Sequence, residues 1–350
     1  MRTRQRPTLR ILTAAITLCA VFGTASCQAN NPSASSTPST SEAANAQTSP
    51  IEVVASTNQW GSVAEQIGGT HVKVESILTS TTVEPHGFEM RTKDADALSK
   101  AQVIVSNGAG YDSWATKGLT KNTVSISAAQ MVGAVEGDNP HLWFSSDARN
   151  AVAKELADTY SRIMPKQKKY FANKLKAWNR REATIEKDMK QFSDMHGTVS
   201  YAATEPVAYY LLSDMGFTDK TPEDYAQATA DGSQPSSEAL QDFQELVERR
   251  KIDVLVNNTQ EAGDATNVLT GTAHKSDVGV IDITEQMPND CKSLTSWIMR
   301  LIETLDEILT AQATDESAED ADRSSSDSGS RTDASTTDDA DNSGQTDPGR

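Results

Sequence analysis

The chain has 350 residues, 37% of them hydrophobic and 23% charged, with a formal net charge of −17 at pH 7. That length allows two modest hydrophobic cores, and the acidic balance argues against nucleic acid as a partner. About half of the net negative charge lies between Asp315 and Arg350, so the whole-chain value says little about the folded part.

The first 27 residues begin with Arg2, Arg4, Arg6 and Arg10, continue as an apolar run from Ile11 to Phe22, and end on the small residues Ala25 and Ser26 before Cys27. That order is the anatomy of an export signal, and the run is too short for a membrane-spanning helix. Thr24-Ala25-Ser26-Cys27 resembles the lipobox of bacterial lipoproteins, with Thr24 where leucine is usual. The resemblance implies that Cys27 is acylated and becomes the first mature residue, fixing the chain to the membrane; ordinary secretion with cleavage nearby is the alternative. With Cys19 removed and Cys27 lipidated, Cys291 is the one thiol left, so no intrachain disulfide is expected and stability must come from burial. Residues 28–50 are Asn, Pro, Ser, Ala and Thr almost without large apolar side chains, a composition that cannot offset the entropy of ordering and reads as a tether. Residues 313–350, rich in Asp, Ser, Thr and Gly, read as a disordered acidic tail.

Between these ends the pattern alternates. Ile51–Ser56 is a β-branched strand, followed by a helix through Trp60, Val63, Ala64 and Ile67 that stops at Gly68-Gly69. Val72–Leu78 reads as a strand, Thr92–Ala101 as a helix, and Gln102–Ser106 and Val124–Ser127 as strands. Strands separated by helices, without hairpin turns, imply a parallel sheet over residues 51–145. Long helices then take over through residue 196. Val152, Leu156, Tyr160 and Ile163 share one face, Pro165 interrupts, and Phe171, Leu175, Trp178, Ile185, Met189 and Phe192 mark a second helix. At roughly 28 residues it would be about 42 Å long, enough to span two lobes. Residues 197–312 repeat the first grammar: strand Thr198–Ala203, helix Val207–Met215, a helix opened by Pro235-Ser236-Ser237-Glu238, strand Ile252–Val256, helix Ala262–His274 and strand Val278–Ile283. A last helix carries Leu294, Ile298, Leu301, Ile302, Leu305 and Ile308. The expected fold is α/β: two small, mainly parallel-sheet lobes joined by one long spanning helix, with any site in the cleft between them.

Ligand sites in open parallel sheets lie beyond the carboxyl ends of the strands, and a cleft draws on the loops of both lobes. That rule selects His86, His141, Glu205 and Glu285. Taken singly, each has a plainer explanation, since a loop histidine is commonly just solvated and Glu205 before Pro206 could cap a helix. Together, two imidazoles and two carboxylates make a coherent set for one first-row divalent ion, and the two negative charges neutralise it so that it can be dehydrated. His71, His196 and His274 read as surface positions.

Glu84-Pro85-His86-Gly87-Phe88-Glu89 is similar to the Pro-His-x-aromatic-Glu signature of the metal receptors of bacterial manganese and zinc ABC importers, and Asn139-Pro140-His141-Leu142-Trp143 to that family's Pro-His-x-Trp signature. Gly110-Tyr111-Asp112-Ser113-Trp114, the long helix and the Pro-Ser helix opening at Ser236 extend the resemblance over about Ile51 to Leu309. It implies that His86 and His141 are the first two metal ligands, that Glu205 stands where the family has His or Glu, and that Glu285 stands where Asp is usual. It further implies a rigid monomeric receptor, not an enzyme, that binds one ion at the outer membrane face and passes it to an ABC permease subunit. Imidazole suits zinc and carboxylate oxygen suits manganese; within the resembled family a carboxylate at the third position and the lack of a histidine-rich loop imply Mn2+, with Zn2+ the close alternative. Other readings are a secreted metal-dependent hydrolase, which would need a spare general base and an open coordination position, and a surface adhesin with incidental metal binding.

Overall fold

The structure is a computed structural model that describes residues 49–82 and 85–328, with side-chain surroundings described up to residue 314. The signal segment, Cys27, almost all of the tether and residues 329–350 lie outside the described residues. Among those described, no helix is long and apolar enough to cross a membrane.

The first lobe contains β1 (Ile51–Thr57), α1 (Asn58–Gly68), β2 (Val72–Leu78), α2 (Thr92–Lys100), β3 (Val103–Ser106), β4 (Val124–Ser127) and a short α3 (Ala128–Val132). Its four strands are all parallel in the order β2-β1-β3-β4. The interior strand β3 is buried along its whole length, as its run of Val, Ile and Val requires, whereas the edge strand β2 alternates between half-buried and exposed from Val72 to Ser76 and is buried at Ile77 and Leu78. Two helices follow, α4 (Ser146–Ile163) and, after a 3-10 turn at Pro165–Gln167, the 29-residue α5 (Lys168–His196). Proline fits the turn because its missing N–H would be unpaired there in any case.

The second lobe contains β5 (Ser200–Ala203), α6 (Tyr209–Asp214), β6 (Thr218–Asp219), α7 (Glu223–Ala230), α8 (Ser237–Glu248), β7 (Val254–Asn258), α9 (Asp264–Lys275), β8 (Gly279–Ile283) and α10 (Leu294–Ser328). Its strands are again parallel, in the order β6-β5-β7-β8, the same permutation as in the first lobe. In each sheet the chain steps to one side of the first strand and then to the other, which leaves a crevice beyond the carboxyl ends at β1/β3 and at β5/β7. Ser236 caps α8 as expected, its side chain accepting from the Ala239 N–H at 3.1 Å.

The largest apolar cluster runs from Ile51, Val53 and Val103 of the first sheet through Leu156, Trp178 and Ile185 of the helices to Tyr201, Val254 and Ile283 of the second sheet, and each lobe keeps a smaller cluster of its own, around Val54, Leu98 and Ile104 in the first and Tyr225, Phe243 and Leu255 in the second. The helix α5 packs on α1 and α4 on one side and on α10 on the other, so the spanning helix is cemented to both lobes. The histidines expected at the surface divide. His274 is exposed. His71 instead packs edge-on against Tyr170 and Phe171, and His196 Nε2 lies 2.6 Å from Asp306 Oδ1, tying the end of α5 to α10. The final helix also continues past residue 313, where composition places a disordered tail. Ala313, Glu316, Ala318 and Glu319 are good helix formers, and extending an existing helix needs no new nucleus.

Candidate metal centre

The chain brings His86, His141, Glu205 and Glu285 to one place in the cleft. His86 follows β2, His141 follows α3 and opens a 3-10 turn at Leu142–Phe144, Glu205 follows β5, and Glu285 follows β8. His86 Nε2 is 3.6 Å from Glu205 Oε1 and 3.7 Å from Glu285 Oε1. His141 Nε2 is 3.6 Å from the same Glu205 oxygen and 3.7 Å from Glu285 Oε2. These distances are too long for hydrogen bonds. Donors about 2.0–2.2 Å from a shared centre stand roughly 3.3–3.6 Å apart at tetrahedral angles, so the spacing suits side chains arranged around an ion.

The surroundings fix each donor. His141 Nδ1 is 2.8 Å from Asn139 Oδ1, which leaves Nε2 as the acceptor facing the carboxylates; this atom is buried and makes no hydrogen bond. The Asn107 amide holds the Pro140 carbonyl at 2.7 Å, and its side-chain oxygen accepts from the Trp60 indole at 3.1 Å, so the backbone before His141 is anchored to α1 and β3. Tyr111 crosses from the first lobe to the second: its hydroxyl donates to Glu285 Oε2 at 2.8 Å and accepts from the Gln286 amide at 2.9 Å. Its loop turns through Gly108 at φ 82°, where an added Cβ would sit 2.6 Å from Ser127 Oγ, and the Asn107 and Gly108 N–H groups close on the Asp112 carboxylate. The Asn258 amide bonds Glu205 and reaches Glu285 at 3.4 Å, while Gln59 donates to the Glu285 carbonyl.

Electrostatics follow from this crowding. Pairing with Glu205 raises the His86 imidazole to about 9 against the opposing effect of burial, with Glu285 and Glu261 adding to the rise. Burial alone would raise the Glu205 carboxyl, but His86 and the Asn258 amide bring it below its usual range. Burial first, then the neighbouring Glu285 charge, push the Tyr111 hydroxyl well above its usual range, so it stays a donor.

One carboxylate at the site was not selected from the sequence. Glu261 ends a 3-10 turn after β7, and its Oε1 is 3.8 Å from His86 Nε2. The strand-end rule that selects Glu205 and Glu285 applies equally to β7, and would have found it had the rule been extended three residues past the strand.

The family described as zinc-uptake complex component A, periplasmic, matches residues 53–308. The chain belongs to that family. Among curated relatives, the manganese-binding lipoprotein MntA of Bacillus subtilis (strain 168) is 27% identical to this chain over 177 residues, which is 44% of this chain and 58% of that protein. The manganese ABC transporter substrate-binding lipoprotein PsaA of Streptococcus pneumoniae is 23% identical over 159 residues, 40% of this chain and 51% of its own length. The chain thus spans little more than half the length of these relatives. Solved structures share the fold over nearly their whole length. A ZnuA crystal structure superposes with a TM-score of 0.61 at 18% identity, covering 73% of this chain and 98% of that one. The periplasmic zinc-binding protein TroA of Treponema pallidum gives 0.60 at 15%, covering 75% and 99%.

Proposed function

We propose that this chain captures a single divalent first-row ion outside the cytoplasmic membrane and delivers it to the permease subunit of an ABC importer. His86, His141, Glu205 and Glu285 hold the ion, a lipid on Cys27 keeps the receptor at the membrane, and Mn2+ is the favoured cargo with Zn2+ close behind. The observation that carries this reading is the buried His141 Nε2, which makes no hydrogen bond and faces two buried carboxylates at 3.6 and 3.7 Å. A buried acceptor without a partner is costly, and a cation between it and the carboxylates removes that cost along with the repulsion between the two acids. Membership of an uptake family and relatives named for manganese transport support the same reading. A hydrolase would leave a coordination position to water, whereas four protein donors converge here.

The test is metal content. Mature chain loaded with manganese or zinc and then desalted is expected to retain about one ion per molecule, as the four converging donors would hold; a value near zero for both metals sinks the proposal.

Tyr111→Phe offers a second expected result. It removes the donor on Glu285 Oε2 while keeping the ring against His86 and Trp143. Loss of such a partner to a metal-ligating side chain costs about 10–100-fold in affinity. Competition against a chelator should show that loss with the fold unchanged; an affinity equal to wild type would exclude an orienting role for Tyr111.

A further inference from the structure

Glu261 has no part in the four-residue set, yet its carboxylate oxygen and the donor atoms of His86, Glu205 and Glu285 all lie within 4.8 Å of one another. Its position is built rather than incidental. Asn258, whose amide holds Glu205, turns its side-chain oxygen to the Gln260 N–H at 3.0 Å and so closes the turn that presents Glu261. Gln260 and Gln286 then bond reciprocally, Gln260 Nε2 to Gln286 Oε1 at 2.8 Å and the Gln286 N–H to Gln260 Oε1 at 3.0 Å. Gln286 is the residue next to Glu285. The groups that orient the two inner carboxylates therefore also fix the turn carrying the third.

Exposure separates the donors into two sets. The His141 and Glu285 side chains are 2% and 0% exposed, whereas those of His86 and Glu261 are 44% and 36% exposed. Two inner carboxylates already neutralise a divalent ion, and a third in the dry interior would bury net negative charge at a large cost. At the wet mouth the third carries no such penalty. Its chemical effect is selective: zinc is satisfied by four tetrahedral nitrogen and oxygen donors, while manganese takes a larger, oxygen-rich shell approaching six.

We infer that Glu261 is a fifth donor at the solvent side of the centre and a determinant of specificity, favouring manganese over zinc by adding a hard oxygen that zinc does not need. The inference rests on the reading of the cleft as a metal site.

The experiment measures dissociation constants for Mn2+ and for Zn2+, separately, on the mature wild-type chain and on Glu261→Gln and Glu261→Ala. Both variants are expected to keep about one zinc per chain with affinity within about threefold of wild type, because the four-donor set is intact. Manganese affinity is expected to fall about 10–100-fold, the range seen when a group supporting a metal centre is lost. Equal weakening for both ions would reduce Glu261 to a general negative charge and overturn the inference, as would manganese binding that does not change. Those outcomes leave the metal site itself standing, since wild type would still bind. A wild-type chain that binds neither ion would overturn the site and the fifth donor together.

Discussion

Replacing Glu182 with alanine is expected to lower the stability of the chain by about 3–5 kcal/mol, the usual cost of stranding one member of a buried ion pair. Glu182 lies on α5 and is 7% exposed; its partner Arg149, on α4, is 1% exposed. The pair is bidentate, with Nε to Oε1 at 3.0 Å and Nη2 to Oε2 at 2.8 Å. Arg149 Nη1 also donates to the Phe144 carbonyl at 2.8 Å and to the Trp143 carbonyl at 3.3 Å. Glu182→Ala leaves the guanidinium buried with only carbonyls to hold it. At roughly 2–4 °C per kcal/mol for a chain of this size, the thermal midpoint should fall by roughly 6–20 °C. Because Trp143 and Phe144 belong to the turn that His141 opens, metal affinity should drop as well. A double change, Arg149→Met with Glu182→Leu, should recover most of the midpoint, since apolar residues of similar volume commonly replace buried pairs without loss. A midpoint for Glu182→Ala equal to wild type would show that the pair does not brace the helices.

That brace limits motion between the lobes. The continuous core, the packing of α5 on α1, α4 and α10, and the Arg149–Glu182 pair oppose large hinge motion, because opening the cleft would expose apolar surface along the whole helix. Tyr111, Gln59 and Asn58 add polar ties from the first lobe to the Glu285–Met287 segment of the second. If the cleft holds an ion as proposed, the solvent-facing His86 and Glu261 are the groups able to move for it to enter or leave without separating the lobes.

The alternation of strand and helix periods was enough to read two parallel sheets, because buried parallel strands such as Val103–Ser106 and Val254–Asn258 are short apolar runs and the helices between them keep an apolar face. What escaped lacks that signal. The strand β6 has only two residues, and α7 buries Tyr225 alone, so neither shows periodicity; β6 is held by backbone bonds from the Thr218 and Lys220 N–H groups. Periodicity also shows which face is apolar but not what it meets, so the large cluster that joins the lobes through α5, beside the smaller cluster of each lobe, was not legible. In the cleft, Glu205 and Glu285 stand just past β5 and β8, and His86 and His141 stand in longer loops marked by their Pro-His surroundings. Glu261 sits three residues past β7 in a polar turn, Thr259-Gln260-Glu261, with no motif around it, and the Asn258 and Gln286 contacts show how it is aimed.

Between pH 7 and pH 8.5, metal affinity is expected to rise about tenfold for each pH unit, because the ion must displace one proton from His86. The cause is the pairing with Glu205, reinforced by Glu285 and Glu261, which holds the imidazole at about 9, so it is charged in the metal-free chain through this range. Glu205, held below the usual carboxylate range, stays ionised and contributes no proton. Calorimetry in buffers of different ionisation enthalpy should therefore count about one proton released per ion near neutral pH. Stability moves the opposite way in the metal-free chain. A group raised above its unfolded value stabilises the fold fully below that value, about 6.5 for histidine, and this contribution is lost as pH rises through about 9. The thermal midpoint of the metal-free chain should accordingly decline over that window while the midpoint with metal present climbs away from it, since the same deprotonation strengthens binding. His86→Ala should weaken binding and abolish both the slope and the proton count, which separates this histidine from a general effect of pH on the cleft. An affinity that stays flat from pH 7 to pH 8.5 in wild type would mean that His86 is not a ligand, whatever its distance from the carboxylates.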